Sequence, residues 1–251
     1  MASACLRMGF ALLALGWGAA AHPQTESNAP APAPAASARS PVDDAAQEQL
    51  LQQAMTQIRA GKNADAIHGP LAQIIHTYET AYAHSKMRIY CAQSMTEALL
   101  YMGMASSKHQ QSAQVLSKPT WAMAYYLSGY AYGSMGDMAH SEASLKQALL
   151  LSPFNSQFLS ELGNVYENEK NWPSALEAFQ SADAAAEFAP PEQKIALRCH
   201  ALRGQGYVLV ELHKLDEAAQ KYNDCLRIKP GDEVSIRELG YVWGLQVKAA
   251  K

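Results

Sequence analysis

The sequence predicts an all-α protein built from repeated helical hairpins, and three observations lead to this prediction. Units that start at residues 122, 156, 199 and 233 carry a glycine at one common place, the eighth: Gly129, Gly163, Gly206 and Gly240. Small and large apolar residues recur at fixed later places of the same units. Short turn sequences such as Gly136-Asp137, Lys170-Asn171 and His213-Lys214 separate the apolar stretches.

The later places follow a small, large, small order that fits the second helix of a hairpin. The twentieth, twenty-fourth and twenty-seventh places hold, in turn, Ser141, Leu145 and Ala148, then Ala175, Phe179 and Ala182, then Ala218, Tyr222 and Cys225. Glycine inside a helix costs about 1 kcal/mol relative to alanine, so its recurrence indicates a compensating benefit. We expect each eighth-place glycine to face the twentieth-place small residue, which lets the two helix backbones approach closely.

This pattern resembles the tetratricopeptide repeat family, whose period is 34 residues. The best copy is Leu-Gly-Asn-Val-Tyr at 162–166 together with Ala175 and Phe179, and the resemblance covers about half of the chain. It implies a right-handed α-solenoid in which the first helix of each unit lines a concave groove. Members of the family commonly bind peptides or partner helices in that groove.

The first 21 residues have the pattern of a signal peptide. Arg7 precedes an uncharged apolar stretch at 8–17, and Gly-Ala-Ala-Ala stands directly before His22. The alternative is a retained membrane anchor, but residues 8–21 as a helix span only about 21 Å, less than the ~30 Å hydrocarbon core. We expect cleavage after residue 21 and export, to the periplasm or as a secreted protein.

Residues 22–42 are predicted to be a disordered linker. They are mostly alanine, proline and serine and contain no leucine, isoleucine or phenylalanine. Such a segment cannot bury enough apolar surface to offset the entropy of ordering its backbone.

Region 43–121 is predicted to be helical and to contain a degenerate repeat. Its apolar spacing indicates one helix before the turn at Gly61 and a second over 64–82. A further helix is predicted over 87–105 and a shorter one over 108–116.

From Ala122 onward the units are predicted to be regular, with boundaries at 122–155, 156–198, 199–232 and 233–251. The second unit is nine residues longer than the first, and the additional residues lie around 184–194. Proline disfavours helix at the residue before it and is tolerated in a first helical turn. We therefore expect longer helices on both sides of a break at Pro190-Pro191, and a final capping helix over 233–251.

Composition bounds the kind of partner. Removal of residues 1–21 with Arg7 takes the formal charge from −3 to −4, so the chain lacks the basic excess that nucleic-acid binding requires. No stretch after residue 21 is long and apolar enough to cross a membrane. The predicted partner is therefore a protein or peptide, and association between copies of the chain is an alternative.

Cys199 and Cys225 open and close the third unit, so antiparallel helices would bring them together. One interpretation is a disulfide in the oxidising compartment that export implies. The other, which the sequence favours, is that Cys225 only fills the small-residue place held by Ala148 and Ala182 in the other units.

The predicted binding groove consists of residues on the first helices of the units: Tyr126, Tyr130, Asn164, Arg203, Tyr207, Arg237 and Tyr241. Tyrosine offers a large contact face with a polar tip, and arginine can bind a carboxylate through two hydrogen bonds, so the set suits an extended or short acidic segment. A solvated helix face with partly packed tyrosines is the alternative. Some relatives clamp a terminal carboxylate with lysine, asparagine and arginine, but Tyr126 and Tyr130 occupy two of those places here.

No catalytic, metal or cofactor site is predicted. The eight histidines show no His-Glu-x-x-His spacing, and the sequence contains no glycine-rich phosphate loop and no Gly-x-Ser-x-Gly elbow. A Cys91 nucleophile is the remaining enzymatic alternative. The sequence thus predicts a non-catalytic adaptor of the bacterial cell envelope, with a structural self-assembling solenoid as the alternative.

Overall fold

The computed structural model describes residues 41–107 and 112–249, and these form a row of helical hairpins with one small sheet near its start. The helices are α1 (Asp44–Arg59), α2 (Asn63–Ala66), α3 (Ala72–Tyr82), α4 (Met95–Ser107), α5 (Thr120–Ser134), α6 (Met138–Leu151), α7 (Ser156–Asn168), α8 (Trp172–Ala185), α9 (Pro191–Glu211), α10 (Leu215–Ile228) and α11 (Glu233–Ala249). The strands are β1 (Arg88–Cys91) and β2 (Ala113–Leu116). The predicted signal peptide and nearly all of the predicted linker lie outside the described residues.

The predicted solenoid is confirmed. Helices α5 and α6, α7 and α8, and α9 and α10 pair as hairpins, and neighbouring hairpins pack through α6 on α7 and α8 on α9. In the described ranges none of the helices combines the length and apolar character needed to cross a bilayer.

The turns inside the three hairpins share one backbone conformation. Gly136, Lys170 and His213 occupy the same place of their units, and all have positive φ values, of 84°, 58° and 59°. Side chains cap the next helix in two of the three hairpins. Asp137 accepts a hydrogen bond from the His140 amide, and Asn171 accepts one from the Ser174 amide. The three predicted turns are therefore confirmed.

The eighth-place glycines make room for the large side chains of the second helix. A Cβ atom on Gly163 would lie 2.9 Å from the ring of Phe179, and one on Gly129 would lie 2.7 Å from Cγ of Leu145. The expected approach of Gly129 to the twentieth-place Ser141 is confirmed, since an added Cβ would also lie 3.1 Å from the Ser141 carbonyl oxygen and Ser141 Oγ donates to the Gly129 carbonyl oxygen over 2.7 Å. The twenty-fourth place needs the space because its side chain is larger.

The nine additional residues mostly lengthen one helix. α9 begins at Pro191, eight residues before the third unit was predicted to start, and a short 3-10 turn at Ala186–Phe188 follows α8. The predicted break at the two prolines is confirmed. The predicted lengthening of the helix before it is limited to the 3-10 turn, because α8 has 14 residues, as α6 and α10 do.

The first helices form an irregular hairpin that stacks on α5. α2 and α3 are joined by a π-helical turn at Ile67–Leu71, where Gly69 departs from helical dihedral angles and Pro70 lacks a backbone donor. Tyr78 of α3 stacks on Trp121 with 5.6 Å between ring centroids. This hairpin covers the outer side of the first regular repeat, and its buried core includes Val42, which was predicted to end the linker.

A β-α-β unit replaces two of the predicted helices. β1 pairs in parallel with β2, in a register that places Arg88 opposite Ala113, and α4 connects the strands. The helix predicted over 87–105 was wrong at its start because Ile89 and Tyr90 are strand-forming residues. Ser94 instead marks the start of α4, since its Oγ accepts a hydrogen bond from the Glu97 amide. The helix predicted over 108–116 was also wrong, since its last four residues form β2.

Candidate partner-binding groove

The candidate groove is the surface formed by the first helices of successive hairpins, α5, α7, α9 and α11. α7 packs directly against both α5 and α9, so these three helices form one continuous layer. α11 packs on α10, and Asp232, directly before α11, contacts Arg203 of α9. The predicted groove residues are distributed along all four helices, and their accessibility differs strongly from one end to the other.

The half of the groove formed by α5 and α7 is closed. Tyr126 is 1% exposed, and Tyr130 and Asn164 are each 9% exposed. Gln157 Nε2 donates a 2.8 Å hydrogen bond to Tyr126 Oη, and the Tyr126 ring stacks on Phe158. These side chains contribute to the interior, so a bound segment would not reach Tyr126 without rearrangement.

Both predicted arginines are engaged by carboxylates of the same chain. Arg203 Nη1 lies 3.0 Å from Asp232 Oδ2, and Lys229 Nζ also lies 3.0 Å from that oxygen. The other Asp232 oxygen accepts from the Ser235 amide at the start of α11. Arg237 contacts Glu238 over 3.0 Å. Neither guanidinium is therefore placed as an unoccupied clamp for an acidic partner.

The Arg203 pair also explains the ionisation of Asp232. Burial by itself would raise the pKa of this carboxyl group, but hydrogen bonds from Ser235 and Lys229 and the charge of Arg203 lower it to about 2. Asp232 thus stays ionised and holds the first turn of α11 next to α9. Arg203 acts here as a positioning residue.

The half of the groove formed by α9 and α11 is open. Tyr207 is partly buried, with its ring edge-on to Trp172 at 6.5 Å between centroids, and Tyr241 is 49% exposed. The Arg237 side chain is 55% exposed despite its contact with Glu238. Of the predicted residues, these three form the accessible part of the groove.

The structure adds carboxyl groups that were not predicted as site residues. Glu161 is 4% exposed, and burial raises its pKa to about 8 despite a hydrogen bond from Asn164. Burial and the charge of Glu211 raise the pKa of Glu167 to about 7. Glu161 Oε1 and Glu167 Oε2 accept no hydrogen bond from the described residues. Both residues lie on α7, the first helix of its unit, and no sequence signal marked Glu161.

The cysteines of the third hairpin form a disulfide. Cys199 of α9 and Cys225 of α10 are bonded, with 4.9 Å between their Cα atoms. The favoured interpretation, that Cys225 only packs as a small residue, was therefore wrong. A small side chain at this place lets the two helices approach closely. The same close approach brings the two sulfur atoms within bonding distance. Asp232 lies beside the two sulfur atoms, but bonded sulfurs do not offer the thiolates that a metal would require.

Cys91 is buried at the end of β1. Its surroundings exclude water, and burial raises the pKa of its thiol to about 12. The thiolate is the nucleophilic form of cysteine, so this environment suppresses the reactivity that an enzymatic role would need.

The fold and the inner surface together define a class of protein: a solenoid of helical hairpins with a partly open inner groove. Residues 126–190 match the family described as Tetratricopeptide repeat, and they contain α6, α7 and α8. This part of the chain is therefore similar to tetratricopeptide repeats. No curated protein sequence matches the chain.

Solved structures share the fold at low sequence identity. A structure titled "Functional Characterization of Pseudomonas Aeruginosa pilF" is 12% identical, with a TM-score of 0.57, and the match covers 82% of this chain and 71% of that one. A structure titled "Crystal structure of MamA" is 15% identical, with a TM-score of 0.50, and the match covers 77% and 84% of the two chains. Identities at this level indicate a common architecture and carry no information about ligands.

Proposed function

We propose that the chain is a non-catalytic interaction scaffold that binds a segment of another protein along the open half of its groove. The observation that carries this proposal is the exposure of Tyr241 and Arg237 on α11, while the predicted groove residues of α5 and α7 are buried. Exposed aromatic residues beside a cation are typical of protein-binding surfaces.

The proposed ligand is an extended or helical segment that packs on the exposed ring of Tyr241. Arg203 and Arg237 are already engaged by Asp232 and Glu238, so an acidic ligand would have to displace these contacts.

A crosslinking pull-down from the cell envelope of the source organism tests this proposal. Tyr241→Ala and Tyr207→Ala are expected to reduce capture of a specific partner at least tenfold, which corresponds to about 1.4 kcal/mol. Met135→Ala is a matched control, because this side chain is 47% exposed but lies at the end of α5, outside the groove. Equal capture by all three variants would place the binding surface elsewhere.

The cellular location is proposed from the amino terminus. The pattern of residues 1–21 supports export with removal of this segment, which would place the scaffold in the periplasm or outside the cell. Amino-terminal sequencing of protein from fractionated cells is expected to begin at His22 in the periplasmic fraction. A chain that retains residues 1–21 in the cytoplasmic fraction would contradict export.

A further inference from the structure

Helix α11 has the surface of a first helix but lacks a second helix among the described residues. In the three complete hairpins, a Cβ added at the eighth-place glycine would meet the second helix, at 2.7 Å from Leu145, 2.9 Å from Phe179 and 2.7 Å from Tyr222. At Gly240, the same place of α11, an added Cβ would meet nothing within 4 Å. The space that a large side chain fills in each hairpin is therefore open here.

An apolar stripe surrounds this open space. Ile236, Trp243 and Val247 are 53%, 55% and 59% exposed, and with Gly240 they follow the spacing of a single helix face. Burying such residues is favourable because it removes apolar surface from water. Tyr241 and Arg237 point to another side of α11, so the stripe is distinct from the proposed groove.

The stripe is complementary to itself. Ile236 and Val247 lie equally far from the midpoint between residues 241 and 242, and Gly240 and Trp243 also lie equally far from it. A two-fold axis through this midpoint would pair Ile236 with Val247 of a second copy. It would also bring each Trp243 to Gly240 of the second copy, where the indole fills the open space.

We propose that two copies of the chain associate through antiparallel α11 helices in this register. Each copy supplies one large side chain and one cavity, which is the reciprocal arrangement that a two-fold interface requires. The charges agree with the antiparallel direction, since the exposed Glu233 near the start of α11 would approach the exposed Lys248 near the end of the second copy's helix. The second copy takes the position that a second helix occupies in the complete hairpins.

Sedimentation of the purified chain tests the association. Wild type is expected to sediment as a dimer, at twice the mass of its own monomer. Gly240→Leu and Trp243→Glu are each expected to raise the dimer dissociation constant at least tenfold. Gly240→Leu leaves the isolated fold intact, because its added atoms meet open space and leucine favours helix more than glycine does.

Leu99→Glu is the matched control. Leu99 is 64% exposed and belongs to a second apolar stripe, on α4, which the proposed interface does not use. A wild-type chain that stays monomeric at all concentrations would overturn the proposal. So would a dimer that Leu99→Glu dissociates but Gly240→Leu does not.

Crosslinking tests the register. Ile236→Cys and Val247→Cys, prepared separately and mixed under oxidising conditions, are expected to give a disulfide-linked dimer. Each variant alone is expected to stay uncrosslinked, because identical positions lie about 16 Å apart along antiparallel helices in this register. Crosslinking of either variant alone would contradict the register. Capture of a groove partner by Gly240→Leu is expected to be unchanged, so failure of this inference is distinguishable from failure of the proposed function.

Discussion

Phe179 is the side chain through which two successive hairpins meet. A Cβ atom on Gly163 of the same hairpin would lie 2.9 Å from its ring, and one on Gly204 of the next hairpin would lie 2.5 Å away. The aromatic ring thus lies between two glycines of adjacent first helices. One side chain therefore couples the packing inside a hairpin to the packing between hairpins.

The crowding at Gly163 and the open space at Gly103 predict opposite changes in stability when each glycine is replaced by alanine. Gly163→Ala is expected to lower the free energy of unfolding by about 1–3 kcal/mol, because its methyl group would overlap the Phe179 ring. Gly103→Ala, in α4, is expected to raise it by up to about 1 kcal/mol, because an added Cβ there meets nothing within 4 Å. Urea unfolding of both variants measures the difference, and changes of the same sign would contradict it.

Glu161 predicts a pH dependence of stability. Its pKa is raised from 4.5 to about 8 in the folded state, so the folded chain retains a proton that the unfolded chain releases between these values. Stability is therefore expected to fall as pH rises from about 4.5 to about 8, by up to about 1.4 kcal/mol per pH unit from this group. Glu161→Gln is expected to flatten the dependence measured by urea unfolding. Glu177→Gln, on the exposed side of α8, is the control and is expected to leave it unchanged.

At the scale of elements, the α9–α10 hairpin differs from the other two in having a covalent link. Cys225 takes the place of Ala148 and Ala182, while Cys199 lies within α9, eight residues after its start at Pro191. The bond joins α9 to the end of α10 near the Arg203–Asp232 pair, which holds the start of α11. The disulfide and the Arg203–Asp232 ion pair thus both stabilise the α9–α10 hairpin beside α11.

The disulfide predicts a response to reductant. It closes a loop with a sequence separation of 26, so its loss is expected to destabilise the chain by about 3.5 kcal/mol in the chain-entropy model. Reductant is expected to lower the urea midpoint of the wild type to that of Cys225→Ala. This variant has alanine at position 225, as the other two hairpins have at Ala148 and Ala182. Cys225→Ala itself is expected to be insensitive to reductant. An equally insensitive wild type would show that the bond does not form.

At the scale of the whole molecule, the helices are arranged in a line, and each contacts mainly its neighbours. α7 packs on α5, α6, α8 and α9, whereas α11 packs chiefly on α10. Stability in such an array is approximately a sum of terms for each unit and each contact between neighbours. Opening from the α11 end therefore breaks the fewest contacts.

Hydrogen exchange is expected to follow this arrangement. The amides of α11 are expected to exchange faster than those of α7 when the protein is dilute. Raising the protein concentration is expected to slow exchange selectively in α11 as the proposed dimer forms. Uniform protection across α7 and α11 in dilute protein would contradict this linear arrangement.

The sequence by itself determined the repeated hairpins, their turns and the break before α9. These features depend on local chemistry, because glycine, proline and turn residues influence the backbone only over about one helix length of the chain. The sequence did not predict the β-α-β unit, because β1 and β2 are short and gain their stability by pairing across 25 positions of the chain.

Only the tertiary structure decided which groove residues are accessible and how Cys199 and Cys225 are used. The repeat places Tyr130 and Tyr241 at the same offset, but burial depends on what packs over each of them, and the two are 9% and 49% exposed. Arg203 was likewise identified as a groove residue, while its engagement depends on Asp232, which is 29 positions away. Periodicity fixes where a side chain lies on its helix, and contacts between distant segments decide whether it is free to bind.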